Sequence, residues 1–387
     1  MRVLVVFAIL LFVPFANATQ LAFIGDESLK ELPGSGIPED PYVLENLIIN
    51  ASNITGILVK NTTAYLLIRN LTIIGDNKRP GIILENAKNV RIENVRVIKC
   101  SYGIRIVNSE NITIINSIFK GNLYCYWKSE FAGDADCKGG AIFADYSKNL
   151  YIINNSFVPH SYLFSNIYGV YLVMVKNSMV YGNRFVSSIK CYPSAAFGGY
   201  CKGAAIYLDR SNNNELTRNT IYLPISGGME YAAEVYGMYI FGHNNTIYLN
   251  NFYGEEKPSQ PSEGIGFFYL YHAGENTFHS PKVIYKFGNE TFEGFLGNYW
   301  VAYNGSDENG DGVIEWPFKV DEYPLILPSE NYEIIKLAEE SEMNTSSPNN
   351  LTNSPTTPSS PQENGESKYL FPILAVLAIL IILWRGK

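Results

Sequence analysis

Apolar and polar residues alternate in short runs along most of the chain, as at Ile104 and Ile106 or Ile112 and Ile114, and β-branched and aromatic types dominate these runs. A period of two marks strands, not helices. The runs also recur as a phrase. Gly103–Phe119 reads GIRIVNSENITIINSIF: a glycine, alternating aliphatics, a pause at Asn-Ser-Glu-Asn, a second run and a turn at asparagine. Copies begin at Gly56, Gly81, Gly140, Gly169, Ala204 and Gly237, with a degraded one at Gly264. The step from Gly81 to Gly103 is 22 residues, room for three short strands and three turns. Repeats of that length stack as coils, each burying its apolar face only against its neighbours. The pattern predicts an all-β, right-handed parallel β-helix with a core roughly 40 Å long at ~4.8 Å per coil.

Asparagine punctuates the phrase. Asn155, Asn183, Asn219, Asn250 and Asn276 each stand two residues before an aromatic residue or isoleucine. Asparagine tolerates the left-handed backbone of a tight turn, and stacked amides can bond as a ladder. The fixed offset predicts such a ladder.

The two ends of the chain depart from the repeat. Residues 1–18 read as a secretory signal: Arg2, the apolar stretch Val3–Phe15, then Ala16-Asn17-Ala18 as a cleavage site. A retained N-terminal anchor is the alternative. Residues 369–384 are apolar, with Tyr369 and Trp384 at the ends and Arg385 and Lys387 beyond, the pattern of one transmembrane helix with residues 385–387 as a cytoplasmic tail. Residues 339–368, rich in Ser, Thr, Pro and Asn, cannot form a core and read as an extended, glycosylated stalk. Between signal and stalk the reading gives an N-terminal cap and first coil over 19–55, repeats over 56–285 and a C-terminal cap over 286–338. The chain is thus expected at the cell surface, single-pass, with its N-terminus outside. Its sequons fit that place. A net charge of −8 argues against nucleic acid as a partner.

Extra residues fall in one slot of successive coils, after the Asn-x-aromatic turn and before the next phrase: 120–139, 158–168, 186–203, 222–236 and 253–263. Insertions in one slot emerge from one face. They carry the aromatics Tyr126, Trp127, Phe131, Tyr192, Tyr200 and Tyr231, and the acids Asp134, Asp136, Glu230 and Glu234. Aromatic platforms with interspersed acids suit sugar rings, so these six aromatics are candidate ligand-binding residues for a polysaccharide or surface glycan. The alternative is that the aromatics pack the insertions against each other. Asp145 and Asp209 hold equivalent repeat positions, read from the sequence as several coils apart and too far to pair.

Cysteines bracket two insertions, and an exported chain can oxidise Cys125 with Cys137 and Cys191 with Cys201. Cys100 with Cys137 competes, since each lies three residues before the glycine of a phrase. Beyond the repeats, DENGDGVIE places Asp307, Asn309, Asp311, the carbonyl of Val313 and Glu315 as oxygen ligands suited to Ca²⁺. Residue 12 of an EF-hand loop would be Phe318, so the motif is not an EF-hand, and an Asx-rich turn without metal is the alternative.

GSGIPEDPYVLENLIIN from Gly34, the GI-phrases, GNYWVAYNGSDENGDGVIE and the following DEYPLI together resemble the NosD-type β-helix proteins of archaeal and bacterial surfaces. The resemblance implies a carbohydrate-binding and sugar-hydrolase-like (CASH) solenoid closed by a C-terminal cap. That family's name is tied to copper delivery. This sequence departs from it, with only His160, His243, His272 and His279 and no His/Met/Cys cluster suited to copper. Two functions follow: a binding or structural surface module, and a polysaccharide lyase or glycoside hydrolase using acids from Asp134, Asp136, Glu230 and Glu234. The first is preferred, because no tight acidic constellation is visible in the sequence.

Overall fold

The computed structural model describes residues 15–16, 20–122, 124–127, 135–158, 165–186, 201–223, 233–254, 257–259, 263–271 and 276–338. The chain winds repeatedly through three sheets. Sheet 1 is entered at Leu21–Ile24, sheet 2 at Tyr42–Glu45 and sheet 3 at Ile48–Ala51, and the path then returns to sheet 1 at Ile57–Lys60. In all three sheets the strand of one coil pairs in parallel with its equivalent one coil on, the arrangement of a right-handed parallel β-helix. Among the described residues of these sheets, only the added strands Tyr124–Trp127 and Lys257–Ser259 pair antiparallel. Ile57, Ile82, Ile104, Ile142, Val170, Ile206 and Met238 align in one inward row of sheet 1, all fully buried. Each coil therefore contributes one or two branched side chains per sheet to a core continuous along the axis.

Two corners of each coil are built from a left-handed residue followed by a buried one. At the sheet 2 to sheet 3 corner the left-handed positions are Asn70, Asn94, Asn116, Asn154, Gly182, Arg218 and Leu249, all with φ between 52° and 63°. The residue after each faces inward. In the early coils it is Leu71 or Val95; from Ser117 onward it is polar: Asn155, Asn183, Asn219, Asn250 and Asn298. These amides form a directional ladder, in which each Nδ2 donates to the next Oδ1 at 2.9–3.1 Å. The second N–H of each amide bonds a backbone carbonyl, as Asn219 does with Val180 at 2.7 Å. Two residues beyond the ladder, Phe119, Phe157 and Phe185 stack inside the core at 5.4 and 4.7 Å, as do Phe252 and Trp300 at 4.4 Å. These rings dictate a small residue on sheet 1. A Cβ at Gly103 would sit 2.5 Å from the Phe119 ring and from the Ala141 carbonyl.

The predicted ladder thus exists with one exchange. Asn276 belongs to a second ladder at the sheet 1 to sheet 2 corner, with Asn214 and Asn245, whose amides donate onward at 3.0 and 2.9 Å. Asn298 takes the place expected for it. The register also moves the phrase origins: Tyr102 pairs with Gly140, so Gly103 is matched by Ala141, then Gly169, Ala205, Gly237 and Phe267. Cys100 and Cys137 are consequently not equivalent. Cys100 is a buried free thiol, which overturns its pairing with Cys137.

The main ladder ends on a carboxylate. Asp321 Oδ2 accepts Asn298 N–H at 2.7 Å, Asn298 Nδ2 at 3.2 Å and Trp300 Nε1 at 2.8 Å, while Oδ1 accepts Tyr323 N–H at 3.1 Å. Gly297 is required there, because a Cβ would overlap Asp321 Oδ1 and the Tyr323 carbonyl. Complete burial pushes the Asp321 carboxyl up to about 7 against the pull of its four donors. The segment expected to form one cap is divided. Leu296–Asn331 closes the solenoid, whereas Val283–Phe287, Glu290–Gly294 and Tyr332–Leu337 form an antiparallel sheet in a separate unit. Among the described residues no helix is long and apolar enough to cross a membrane; residues 369–384 lie outside them.

Asn219→Ala removes one rung and leaves the Asn183 backbone N–H and one of its Nδ2 hydrogens unpaired. It should cost about 3 kcal/mol in denaturant unfolding, against about 1 kcal/mol for Asn116→Ala, which only strains an exposed left-handed turn. Equal losses would remove the ladder's special weight. Asp321 generates a pH dependence of fixed sign. Its folded value of about 7 exceeds the ordinary 3.8, so the stability it contributes at low pH is lost as pH rises through 7. From pH 5 to 8 the wild type should lose more stability than Asp321→Asn, and parallel curves would contradict this.

Candidate functional site

The outward row of sheet 1 is aromatic through the central coils. Two residues after each small position stand Phe143, Tyr171, Tyr207 and Tyr239, preceded one coil earlier by Arg105. Alternation with the buried row turns these side chains to the outside, where they are half-buried against each other. Phe143 meets Tyr171 edge-on at 5.3 Å, Tyr171 meets Tyr207 at 4.7 Å, and Tyr207 lies parallel to Tyr239 at 4.1 Å. Tyr102 and Tyr168 widen the strip, at 5.5 Å from Phe143 and 4.6 Å from Tyr171. Burial, then the nearby Asp209 carboxylate, pushes the Tyr171 hydroxyl up to about 12. Burial and a hydrogen bond with Tyr239 raise that of Tyr207.

Two residues further along the strands runs a row of Val107, Asp145, Val173 and Asp209. Asp145 and Asp209 are therefore two coils apart, roughly 10 Å between backbones, and not several. Their surroundings differ. Asp209 is held by Arg210, with contacts of 3.0 and 3.4 Å. Asp145 has one carboxylate oxygen buried without a hydrogen-bond partner. Burial raises its carboxyl above the ordinary range; Arg105, the Tyr146 amide and Arg210 oppose this and Asp209 adds to it. The sequence did signal this site, through an aromatic two residues after the small position of successive phrases.

The insertions lengthen sheet 1 alongside this strip. Its strands run four to six residues up to Tyr102–Val107, then eleven at Ala135–Asp145 and nine at Ser165–Val173, Cys201–Asp209, Ala233–Phe241 and Glu263–Tyr271. Tyr124–Trp127 pairs antiparallel with the added part of Ala135–Asp145, placing Tyr126 opposite Asp136 and Cys125 opposite Cys137. Glu234 lies three coils on from Lys138, roughly 14 Å away, so the strands do not bring Asp136 and Glu234 together. Phe131, Asp134, Cys191, Tyr192, Tyr200, Glu230 and Tyr231 lie outside the described residues.

The Asp307–Glu315 loop is folded onto its own amides. Asp307 accepts Gly310 and Gly312 N–H at 2.8 Å, Asp311 accepts Val313 N–H at 2.8 Å, and Glu315 accepts Glu308 and Asn309 N–H at 2.7 and 3.2 Å. Desolvation raises the Glu315 carboxyl, but those amides prevail and hold it below the ordinary range. Among the described residues no group of three or more His, Cys, Asp or Glu side chains is placed to hold a metal ion.

A family model described as periplasmic copper-binding protein (NosD) matches residues 37–305. Solved structures similar to the chain include XylC with xylose, at 10% identity and TM-score 0.32, matched over 71% of this chain and 55% of that one. An exopolygalacturonase from Thermotoga maritima is matched at 10% identity and TM-score 0.24, over 63% of this chain and 57% of that one. The catalytic domain of a GH87 α-1,3-glucanase with nigerose is matched at 10% identity and TM-score 0.24, over 67% and 60%. The chain thus spans little more than half the length of these structures. No curated protein matches it. The described residues do not fit a copper centre. His279 Nδ1 is 2.7 Å from the Ser280 carbonyl with its ring against Tyr323, and His243 is exposed; His160 and His272 lie outside the described residues.

The loop yields a direct test of the Ca²⁺ expectation. Asp307→Ala removes two acceptors and should lower the melting temperature by several degrees. Bound Ca²⁺ requires that chelator lower the wild-type value as well and leave the variant unmoved. A chelator-insensitive wild type leaves the Asx turns as the whole role of the motif.

Proposed function

The chain belongs to the NosD family, and on that premise we propose that it is a surface-displayed solenoid binding an extended polysaccharide along the aromatic row of sheet 1. One observation carries this reading: Phe143, Tyr171, Tyr207 and Tyr239 occupy one outward position on four successive coils. Sugar rings combine apolar faces with hydroxyl edges, so they gain from flat aromatic contact beside polar groups. Here Asp209, Arg210 and Asp145 supply the polar groups one step along the strand. Repetition at ~4.8 Å along the axis suits a polymer more than a compact ligand. The insertions, with Tyr126 and Trp127 on an added strand, would wall this strip. In the same reading Cys125 and Cys137, directly opposed across antiparallel strands, form a disulfide that secures the wall.

A second reading, glycoside hydrolysis, is favoured by the contrast between Asp145 and Asp209. Inverting enzymes use two carboxyl groups ~6.5–9.5 Å apart, one protonated and one ionised. Asp145, with its raised carboxyl, would give a proton to the leaving oxygen, and Asp209, paired with Arg210, would take one from water. Binding remains the preferred function, because it needs the aromatic row alone, whereas hydrolysis also needs Asp145 and Asp209, on backbones two coils apart, to act as a pair.

Display at the membrane is proposed from residues 369–384 and the polar stretch before them. Protease applied to intact cells should release a soluble fragment of solenoid size, and release from lysed cells only would reverse the topology.

Tyr207→Ala should weaken polysaccharide binding by about 1–3 kcal/mol while leaving the unfolding transition in place. A glycan array supplies the ligand and titration the affinity; unchanged affinity would remove the aromatic row from the account. Asp145→Asn with Asp209→Asn separates the two readings. A binder should retain most of its affinity and show no product with either form. A hydrolase should release reducing ends in the wild type and lose them in the double variant.

A further inference from the structure

The asparagines of the solenoid fall into two groups. Among the described residues nine are buried, including the ladder residues Asn155, Asn183, Asn219, Asn250 and Asn298, and none of the nine begins an Asn-x-Ser/Thr sequon. Every sequon asparagine among the described residues is exposed. The hydrogen bonds explain why the groups must differ. A ladder amide spends both its N–H bonds inside the protein, as Asn219 does on Asn250 Oδ1 and the Val180 carbonyl, so it has no hydrogen to exchange for a substituent. The exposed rows ask less. Asn61 enters its row as the acceptor of Asn86 Nδ2 at 3.0 Å. Asn111 gives one bond to Asn89 Oδ1 at 3.1 Å, and an N-substituted amide keeps one N–H for it.

Position around the coil adds a second division. Asn61, Asn111 and Asn244 lie at the sheet 1 to sheet 2 corner, and Asn70 and Asn154 at the sheet 2 to sheet 3 corner. From the sheet 3 strands toward the third corner, sequons stand only before and after the insertions, at Asn50 and Asn53 in the first coil and at Asn304 beyond Tyr299–Trp300. None of the inserted segments 120–139, 158–168, 186–203, 222–236 and 253–263 contains one; their only asparagines are Asn122 and Asn166.

We infer that the solenoid carries N-linked glycans at Asn61, Asn70, Asn111, Asn154 and Asn244, covering two corners and leaving the inserted segments of the third bare. In each transfer the Asn amide nitrogen bonds the anomeric carbon of a glycan delivered on a lipid-linked phosphate. The phosphate leaves with the electrons of the broken carbon–oxygen bond, and the amide gives up one proton. Bulky hydrated chains on the other two corners restrict approach of large partners to the strip bearing Phe143, Tyr171, Tyr207 and Tyr239. The modification itself rests on export of the chain; only the meaning of the bare segments rests on the polysaccharide-binding reading.

The test is glycopeptide mass spectrometry on the full chain isolated from its native host. Peptides with Asn111 and Asn244 should carry sugar masses, and the inserted segments should appear at their unmodified masses. Thr113→Val and Thr246→Val erase the two sequons without touching the left-handed asparagines, and each should remove one glycan while the melting transition persists. Unmodified asparagines at all five positions, or sugar on an inserted segment, would overturn the inference. Polysaccharide binding measured on the same preparation keeps the two ideas apart. Retained binding by an unmodified chain overturns the glycan inference alone, and a glycosylated chain that binds nothing supports the modification while ending the reading of the bare segments.

Discussion

The constraint on which the rest of the structure depends is the asparagine ladder that ends on Asp321. A buried amide is stable only with both donors and its acceptor used, and here the partner of each is the next copy of itself. The ladder therefore needs the same residue, at the same corner, in every coil from Asn155 to Asn298. A coil that slipped by one residue would leave two neighbours unpaired. The directional chain must also end on a group that accepts its last donors, which is the role of the Asp321 side chain beside Gly297 and Trp300.

That constraint decides where the molecule can vary. The sheet 2 to sheet 3 corner is fixed by the main ladder. The sheet 1 to sheet 2 corner is held by Ser147, Ser178 and Ser211 and the second ladder through Asn214, Asn245 and Asn276. Among the described residues the return from sheet 3 to sheet 1 shows no such row, and the insertions of successive coils fall there; one more, Pro281–Phe295, enters only in the last coil, between Thr277 and Asn298. Added length at that corner prolongs the strands of sheet 1 beside the outward row of Phe143, Tyr171, Tyr207 and Tyr239. Variation permitted by packing and a surface suited to a ligand thus share one side.

Much of this was legible in the sequence, because the physics repeats every coil. Alternation gave the strands, the small residue gave the period and the fixed offset of asparagine gave the ladder. Errors arose where two rows look alike locally. Asn276 precedes Phe278 as Asn250 precedes Phe252, and only the three-dimensional register assigns the former to another corner. Gly140 resembles Gly103 but is one residue early, since the small position there is filled by Ala141. The aromatic row is less legible for a different reason: in a half-buried strand, outward residues read as the solvent side, and the insertions hold more conspicuous aromatics. Asp145 and Asp209 looked too remote because the insertions inflate their separation in sequence without adding coils.

The central claim is that aromatic rings in register on successive coils form one continuous binding strip. Titration calorimetry against a single polysaccharide cut into oligomers of increasing length tests it most directly. The four rings from Phe143 to Tyr239 span three coil spacings, roughly 14 Å. Affinity should climb with each added sugar until the oligomer covers that span and then level off, with Tyr207→Ala flattening the climb. Affinity independent of oligomer length, with the same value in the variant, would contradict the account.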